Sequence, residues 1–439
     1  ELPHGVTAGE VSERRERLAS GLRRPLGCVW PETMHKRHPG ALNLYVAYED
    51  MTEADRVAWP LAKRGTADLF KPVVFATDPR GRQVTITLMF ASGIIGSVPR
   101  MGKTFLLRLL LLICALDVRV EIHAYDLKGT GDLAPLRPVA HRYRAGDEPE
   151  DMDYLMADLR ELRTEMRRRA KVIRQLAEAD DPRCPEAKVT PDLVADKRLG
   201  LYPIAFDIDE CQVLFEHPVY GGEAEMICTD LTKRGPALAI LLWLATQRPD
   251  AKSIPTGISA NAVLRCCLKV MGQTENDMVL STSAYKNGIR ATMFSFDDKG
   301  VFYFAGEGKA PQIVYGYGFD LPASKAIVAR ARVMREHAGR ITGYALGQDL
   351  DGGQARRLAD DVLTVFGDAK ALWCSTIAER LAGSFADVYA DITQEAVASQ
   401  LRALEVDVRG VRETGRSKDG PRSGCYRAEL ERIAGGGDA

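Results

Sequence analysis

GIIGSVPRMGKT, residues 93–104, is the stretch around which the rest of this chain is organised. A short apolar run stops at Gly96, a loop ends in Gly102-Lys103-Thr104, and a very apolar segment, FLLRLLLLICAL, follows. A strand, a loop with Gly-Lys-Thr and a helix form a phosphate loop, whose backbone N–H groups surround phosphate oxygens. The stretch therefore predicts a nucleotide site, with Lys103 at the β/γ-phosphates and Thr104 on Mg²⁺.

The predicted loop departs from the usual phosphate-loop pattern at one position. The pattern places a glycine where Ser97 stands, and here the glycine comes one residue earlier, at Gly96. A strand–turn–helix with an incidental Gly-Lys-Thr is the alternative, because short motifs also occur by chance. The residues predicted to bind nucleotide are Gly96, Ser97, Val98, Pro99, Arg100, Met101, Gly102, Lys103 and Thr104.

Two further apolar segments end in polar side chains that suit a phosphate loop. The segment LYPIAFDIDE closes on Asp209 and Glu210, of which one carboxylate can support Mg²⁺ and the other can polarise the attacking water. The segment ALAILLWLATQRP carries Gln247 near its end, where an amide can sense the γ-phosphate or orient water. The alternative for the two acids is a strand that merely carries them at its solvent end.

Composition sets the broad class. The chain has 439 residues, an ordinary globular composition and a formal net charge of -1, so two to four domains are expected and any nucleic-acid surface must be local. The nine cysteines include no C-x-x-C pair, which favours buried thiols over a disulfide framework or a zinc site. No segment has the length of apolar sequence that a membrane span requires.

Alternating strand and helix patterns divide the chain into parts. Residues 1–70 predict a small α/β domain whose basic first helix is expected to be solvated, in preference to a DNA contact. Residues 71–337 predict an α/β domain on a largely parallel sheet, and residues 338–352 a linker. Because the chain begins ELPHG, without Met or a signal peptide, we expect an excised soluble portion of a longer protein, and a membrane anchor outside it stays open.

The part from 353 to 439 has a different composition. Helices are expected at 355–366, at 371–382 and from Thr393 to Leu404, followed by a basic, Gly-rich hairpin. Three helices and a basic hairpin predict a winged helix-turn-helix that binds DNA. A solvated hairpin on a protein-interaction module is the alternative. The residues predicted to contact DNA are Gln394, Gln400, Arg409, Arg412, Arg416, Lys418 and Arg422.

Several segments occur in the order found in one family of motors. They are GSVPRMGKT, YDLKG, EMRRR, FDIDE, ATQRP with IPTGISAN, and YKNGIRATMFSFDDKG, which together cover residues 70–320. The chain resembles the FtsK/SpoIIIE-type double-stranded DNA translocases, most closely the actinomycete plasmid conjugal-transfer proteins of the TraB/TraSA type. It departs from the family at Ser97 and at Leu127, where a proline is usual.

The resemblance implies a RecA-like P-loop NTPase core between a small N-terminal domain and a C-terminal winged helix. It implies an ATP-driven pump for double-stranded DNA with ATP and Mg²⁺ as cofactors. The pump would be a homo-hexameric ring on the cytoplasmic face of the membrane, anchored through an N-terminal region. By motif, the metal site would take Thr104 and Asp209, and the catalytic base would be Glu210. Gln247 would sense the γ-phosphate, and either Arg168 or Arg169 would be an arginine finger.

Three other functions remain open at this point. The same superfamily includes chromosome-segregation motors and secretion ATPases that move protein. A basic hairpin after residue 409 favours DNA over protein as the substrate, because a protein exporter needs no such hairpin. A DNA-binding regulator that uses the nucleotide as a switch is the third alternative. The charged helix end at EMRRR is equally compatible with a solvated face.

Overall fold

The computed structural model describes residues 1–34, 37–55, 57–306, 309–347, 358–385, 389, 392–403, 406–414 and 420–434. Its strands are β1 (Val29–Thr33), β2 (Leu42–Val46), β3 (Val73–Thr77), β4 (Gln83–Ile86), β5 (Gly93–Gly96), β6 (Glu121–Asp126), β7 (Arg142–Ala145), β8 (Ile204–Asp209), β9 (Ile240–Thr246), β10 (Leu264–Cys267), β11 (Val301–Gly306), β12 (Lys309–Gly316), β13 (Ala371–Trp373), β14 (Arg409–Val411) and β15 (Arg422–Tyr426). Its helices are α1 (Ala8–Glu13), α2 (Arg15–Leu22), α3 (Lys103–Ala115), α4 (Pro149–Glu178), α5 (Pro191–Ala195), α6 (Gln212–Phe215), α7 (Gly221–Arg234), α8 (Thr256–Asn261), α9 (Gln273–Leu280), α10 (Leu321–His337), α11 (Leu358–Phe366), α12 (Cys374–Ser384), α13 (Gln394–Ala403) and α14 (Arg427–Ala434).

A 10-stranded sheet carries the predicted phosphate loop, residues 96–104. Its strand order is β4-β3-β12-β11-β10-β5-β9-β8-β6-β7. The strands from β10 to β7 pair in parallel, and the remaining pairs are antiparallel. Strands β8 and β9 are buried along their whole length, which explains their nearly continuous apolar sequences. This mixed α/β architecture is the one predicted for residues 71–337, and it fits a RecA-like P-loop NTPase core.

The N-terminal 70 residues share a hydrophobic core with this sheet. Trp30, Met51, Trp59 and Leu69 are buried in the same cluster as the sheet residues. Within the basic first helix, Arg15 is 2% exposed, and its Nη1 lies 2.6 Å from Asp298 Oδ2. The expectation of a solvated basic face is therefore wrong for Arg15. Its guanidinium is held by a distant carboxylate and by the ring of Trp30, 3.8 Å away.

The segment from 285 to 300 contains no β-strand, although it has Gly-containing turn signals at 286–288 and 297–300. It contains a 3-10 turn at Ala291–Met293, and regular pairing starts only with β11. Side chains satisfy its backbone in place of a strand ladder. The Asn276 amide donates to Ile289 O and accepts from Ala291 N, at 3.0 Å and 2.8 Å. Such side-chain bonds compete with secondary structure, and a distant asparagine is not visible in the local pattern.

Residues 358–434 have a core of their own. Side chains from α11, α12, α13 and α14 pack together, and they are Val362, Phe366, Ile377, Leu381, Val397, Leu401 and Leu430. A 3-stranded antiparallel sheet of order β13-β15-β14 accompanies these helices. The helix expected at 371–382 begins instead at Cys374, because Ala371–Trp373 pair with β15 as strand β13.

All nine cysteines are free and buried, in agreement with the expected buried thiols. In the part of the chain that the structure describes, no helix is long and apolar enough to cross a membrane.

Candidate nucleotide-binding site

Strands β5, β9 and β8 bring the predicted nucleotide-site residues together at the carboxyl edge of the sheet. Lys103, the first residue of α3, makes ion pairs with both acids, contacting Asp209 closely and placing its Nζ 2.8 Å from Glu210 Oε1. The hydroxyl of Thr104 donates to Asp209 Oδ2 at 3.1 Å. Strand β9 lies between β5 and β8 in the sheet, and Gln247 directly follows its last residue. Residues from three segments of sequence thus form one polar cluster.

Neighbouring backbone holds the phosphate loop. Val98 N donates to Lys269 O at 2.8 Å, and Met101 O accepts from Gly300 N at 2.8 Å. Gly102 has a left-handed φ of +97, and a Cβ at this position would lie 3.2 Å from Gly300 N. Arg100 also has a positive φ, of 66. The loop conformation therefore requires Gly102 specifically, whereas the glycine absent at Ser97 is not needed for the turn.

Burial and charge oppose each other at Lys103. Burial disfavours its ammonium, but the carboxylates of Asp209 and Glu210 outweigh this cost and raise the pKa of Lys103. At Glu210 burial alone would raise the carboxyl pKa, and Lys103, Gln212 and Gln247 together lower it. Both groups are therefore charged at neutral pH, as phosphate binding and proton abstraction require.

Glu210 is held from several sides. Its φ of 58 is left-handed, an uncommon conformation for a non-glycine residue, and it turns the chain sharply after β8. Gln247 Nε2 donates to Glu210 Oε1, and Gln212 Nε2 donates to Oε2 at 2.7 Å. Gln212 is in turn held by the hydroxyl of Thr246, which donates to its Oε1 at 2.7 Å. Gln212 is a site residue that the sequence reasoning missed, although it follows the acid pair by two positions.

Asp126 is a further carboxylate at this edge of the sheet. It ends β6, is fully buried, and accepts from Asp132 N at 2.9 Å. Burial, and then the charge of Asp209, raise the pKa of Asp126. Asp126 belongs to the YDLKG segment of the family resemblance, for which the sequence analysis gives no residue role.

A cleft of about 750 Å³ adjoins the polar cluster. The phosphate loop and the start of α3 form one wall, and the turn before β11 and the end of β12 form the other. The lining residues that the sequence reasoning missed are Phe105, Leu106, Arg108, Lys128, Asp132, Lys299, Gly300, Tyr315, Gly316, Tyr317 and Gly318. Arg108 is the one charged residue of the apolar segment FLLRLLLLICAL. It is 3% exposed, and its guanidinium donates to Asp132 O and Phe319 O, each at 2.9 Å.

Ser97 provides a test of the cleft. Its hydroxyl is buried, lines the cleft and has no hydrogen-bond partner among the described residues. Because removal of an unpaired polar group costs little, Ser97→Ala should leave the melting temperature unchanged. If a phosphate oxygen bonds this hydroxyl, ATP binding should weaken by about 0.5–1.5 kcal/mol. Calorimetric titration with an ATP analogue checks this, and unchanged affinity would remove Ser97 from the site.

Arg168 and Arg169 lie at the opposite edge of the sheet. Arg169 is 2% exposed, and its Nη1 donates to Leu238 O at 3.0 Å, just before β9 begins. Burial, the largest influence, lowers the pKa of Arg169. In this conformation the side chain is enclosed within its own chain, and the assignment of Arg169 as an arginine finger stays a prediction. Arg168 is half-exposed, and its guanidinium donates to Glu165, Leu199 O and Gly200 O. Its assignment as an arginine finger stays a prediction.

The predicted DNA-contact residues occupy several positions in residues 358–434. Arg412 is exposed, and Arg409 pairs with Asp407 and Glu429 at 2.9 Å and 3.3 Å. The guanidinium of Arg422 lies 4.5 Å from the Trp373 ring centroid. The side chain of Gln394, in the first turn of α13, donates to Glu395. Gln400 belongs to α13, and its side chain, with the whole of Arg416 and Lys418, lies outside the described residues.

No family model matches the sequence, and none of the curated proteins matches it. The solved structures include similar folds. The conjugation coupling protein TcpA of pCW3, in a monomer form with ATPγS, aligns over 74% of this chain and 87% of its own, with a TM-score of 0.50 and 17% identity. The type VII secretion ATPase EccC of Thermomonospora curvata aligns over 64% of this chain and 33% of its own, with a TM-score of 0.47 and 18% identity.

EssC of Geobacillus thermodenitrificans aligns over 66% of this chain and 54% of its own, with a TM-score of 0.48 and 17% identity. This chain therefore spans only about a third of the EccC chain and about half of the EssC chain. At 17% identity, the similarity to TcpA concerns the fold. The chain shares its fold with a conjugation coupling protein, and its large, mostly parallel sheet fits the RecA-like P-loop NTPase core that the resemblance to FtsK/SpoIIIE-type motors implies.

Proposed function

We propose that this chain is the motor part of an ATP-driven translocase of double-stranded DNA, acting in conjugal transfer of a plasmid or integrative element. The observation that carries the proposal is the convergence of Lys103, Thr104, Asp209, Glu210 and Gln247 beside the cleft. The fold shared with TcpA and the family motifs of the sequence support the choice of substrate.

Each polar residue has a role in this proposal. Lys103 and the backbone of residues 97–104 would bind the β/γ-phosphates. Glu210 would take the proton of the attacking water, since its carboxylate is charged and its carboxyl oxygens are positioned by Gln212 and Gln247. Gln247 contacts Glu210 directly, so it could report the state of the γ-phosphate to the base. Lys103 is shared between the acids, and bound phosphate would compete with them for its charge.

The site also fits Mg²⁺. The Thr104 hydroxyl and an Asp209 carboxylate oxygen lie 3.1 Å apart, and hydroxyl and carboxylate oxygens are the ligands that this cation prefers. When bound, Mg²⁺ would neutralise charge that develops on the phosphate oxygens. The chain's own contribution is to hold these two oxygens beside the phosphate loop.

The C-terminal part would be a winged helix that binds DNA. Its described residues form, in order, a helix, a strand, two helices and a pair of antiparallel strands, with sheet order β13-β15-β14, which supports this assignment. Helix α13 would enter the major groove, where Gln394 and Gln400 could read base edges. The hairpin between β14 and β15 would contact phosphates. We also propose that six subunits form a ring. In this ring, Arg168 of each subunit would lie near the nucleotide of its neighbour.

One hairpin arginine offers a clean test of DNA contact. Arg412 is exposed, so Arg412→Ala should not affect folding but should weaken binding to all duplexes alike. Loss of one phosphate contact should lower the slope of log affinity against log salt by about one unit. Fluorescence anisotropy at several salt concentrations measures this slope. Arg198→Ala removes an arginine that is 87% exposed in the motor part, and it should leave the slope unchanged.

The function itself is tested by the ATPase rate of the full chain with and without long duplex DNA, alongside the particle mass. A DNA-driven pump should hydrolyse ATP faster on duplex DNA and should form a ring. Stimulation by a secretion-signal peptide instead would favour the protein-export alternative. Tight DNA binding with no stimulated hydrolysis would favour the regulator.

Truncation separates the roles of the two parts of the chain. A chain cut after residue 348 should keep ATP hydrolysis and lose its preference among DNA sequences. A cut chain that still discriminates DNA sequences would place recognition in the motor.

A further inference from the structure

A cluster of two histidines and a glutamate lies at the edge of the sheet opposite the nucleotide site. Glu121 begins β6, His123 follows two residues later, and His141 directly precedes β7. One ligand atom from each lies within 4.8 Å of the others. His123 Nε2 is 3.0 Å and His141 Nε2 is 3.8 Å from Glu121 Oε1. Two ligands of a tetrahedral zinc ion, each about 2.0–2.1 Å from the metal, are about 3.4 Å apart, so these separations bracket the required one.

The Nδ1 nitrogens of His123 and His141 each have a hydrogen-bond partner outside the cluster. His123 Nδ1 lies 2.7 Å from Asp158 Oδ2, and Asp158 is itself fixed by the hydroxyl of Tyr125 and by Arg142, whose Nε is 3.2 Å from Oδ1. His141 Nδ1 lies 2.9 Å from the hydroxyl of Thr342. A proton on each Nδ1 leaves each Nε2 with its lone pair directed at the cluster. Carboxylate and hydroxyl partners of this kind are what orient metal-ligating histidines.

We propose that Glu121, His123 and His141 form a binding site for a zinc-class transition-metal ion. Two imidazole nitrogens and one carboxylate oxygen make a donor set that suits Zn²⁺, Co²⁺ or Ni²⁺ and is poor for Mg²⁺. The side chains of Glu121 and His141 are 24% and 22% exposed, so a metal can enter and water can complete its coordination. The site lies away from the nucleotide cluster and does not depend on the proposed function.

The metal would fix the segment that leads from the motor to the C-terminal part. Tyr344 N donates to His141 O at 2.8 Å, and Ala345 N donates to Ala140 O at 3.0 Å. Gly343 packs so closely that a Cβ there would lie 2.2 Å from His141 O. A metal on His141 would therefore hold both the strand edge and the Thr342 hydroxyl. The competing arrangement is metal-free, with a protonated His123 bridging Asp158 and Glu121.

Zinc binding to the full chain, stripped with EDTA, separates these arrangements. Zinc titration against a chromophoric chelator should give one site per chain, and Co²⁺ should give the visible absorption of low-coordinate cobalt. Zn²⁺ should also raise the melting temperature. His141→Ala and Glu121→Gln should abolish the site. Thr342→Val, which removes only the supporting hydroxyl, should weaken binding by about 10–100-fold.

His337→Ala is the matched control, since it removes an exposed histidine outside the cluster and should bind zinc normally. Both histidine variants keep all nine cysteines, so metal held by thiols would survive in them. Melting curves in EDTA show whether each variant is folded. A folded wild-type chain that takes up no zinc, or equal uptake by wild type and His141→Ala, would overturn the proposal in favour of the protonated His123 bridge.

Discussion

Glu210→Gln is expected to bind ATP normally and to hydrolyse it about 10²–10⁴-fold more slowly than the wild type. The amide keeps the shape of the side chain, and its one carbonyl oxygen can still accept a hydrogen bond from either Gln247 or Gln212. It cannot accept a proton at neutral pH, so the attacking water loses its base. Lys103 retains Asp209 as a partner, and we therefore expect little loss of stability. Single-turnover hydrolysis with equilibrium ATP binding measures the two effects separately.

Glu186→Gln is the matched control for this variant. Glu186 is 68% exposed in its side chain and pairs only with Lys188 among the described residues. Its replacement makes the same chemical change away from the cluster and should leave the turnover unchanged. Wild-type turnover in Glu210→Gln would remove Glu210 from the role of base, and Asp126 would then be the next carboxylate to test.

Lys103→Ala is the second change with a large expected effect. The variant loses the charge-assisted hydrogen bonds to the β/γ-phosphates, which are worth about 1.5–3 kcal/mol, so ATP should bind about 10–150-fold more weakly. Asp209 and Glu210 would also be left adjacent in a buried site without their cation, and the melting temperature should fall. Calorimetric titration well below the melting temperature separates weaker binding from unfolding.

Two further lysine variants sharpen this test. Lys103→Arg keeps the positive charge between the acids and should restore much of the stability. Its planar guanidinium is larger than an ammonium, so it should not restore phosphate binding in the tightly held loop. Lys71→Ala removes a lysine that is 76% exposed and should change neither property. Equal ATP affinity in Lys103→Ala and wild type would show that the phosphate loop does not hold nucleotide.

Most of the motor fold and the central residues of its candidate site could be predicted from local sequence patterns. The strand–loop–helix at 93–116 and the apolar strands ending in Asp209-Glu210 and Gln247 were predicted from local pattern, and the structure forms them. This was possible because strands buried on both faces have continuous apolar sequences, and because parallel strands place their carboxyl ends at one edge. The geometry of the site follows from that topology.

Features that depend on contacts between distant residues could not be predicted. The hydrogen bond from Thr246 to Gln212, the ion pair of Arg15 with Asp298, and the enclosure of Arg169 all involve groups that are far apart in sequence. The histidine cluster is the clearest case. Its ligands come from β6 and from the turn before β7, and Thr342 approaches from beyond α10. Local sequence patterns indicate which residues are buried and which secondary structure they form. Which polar groups pair across the fold depends on the tertiary structure, because the order of the strands in the sheet brings distant residues together.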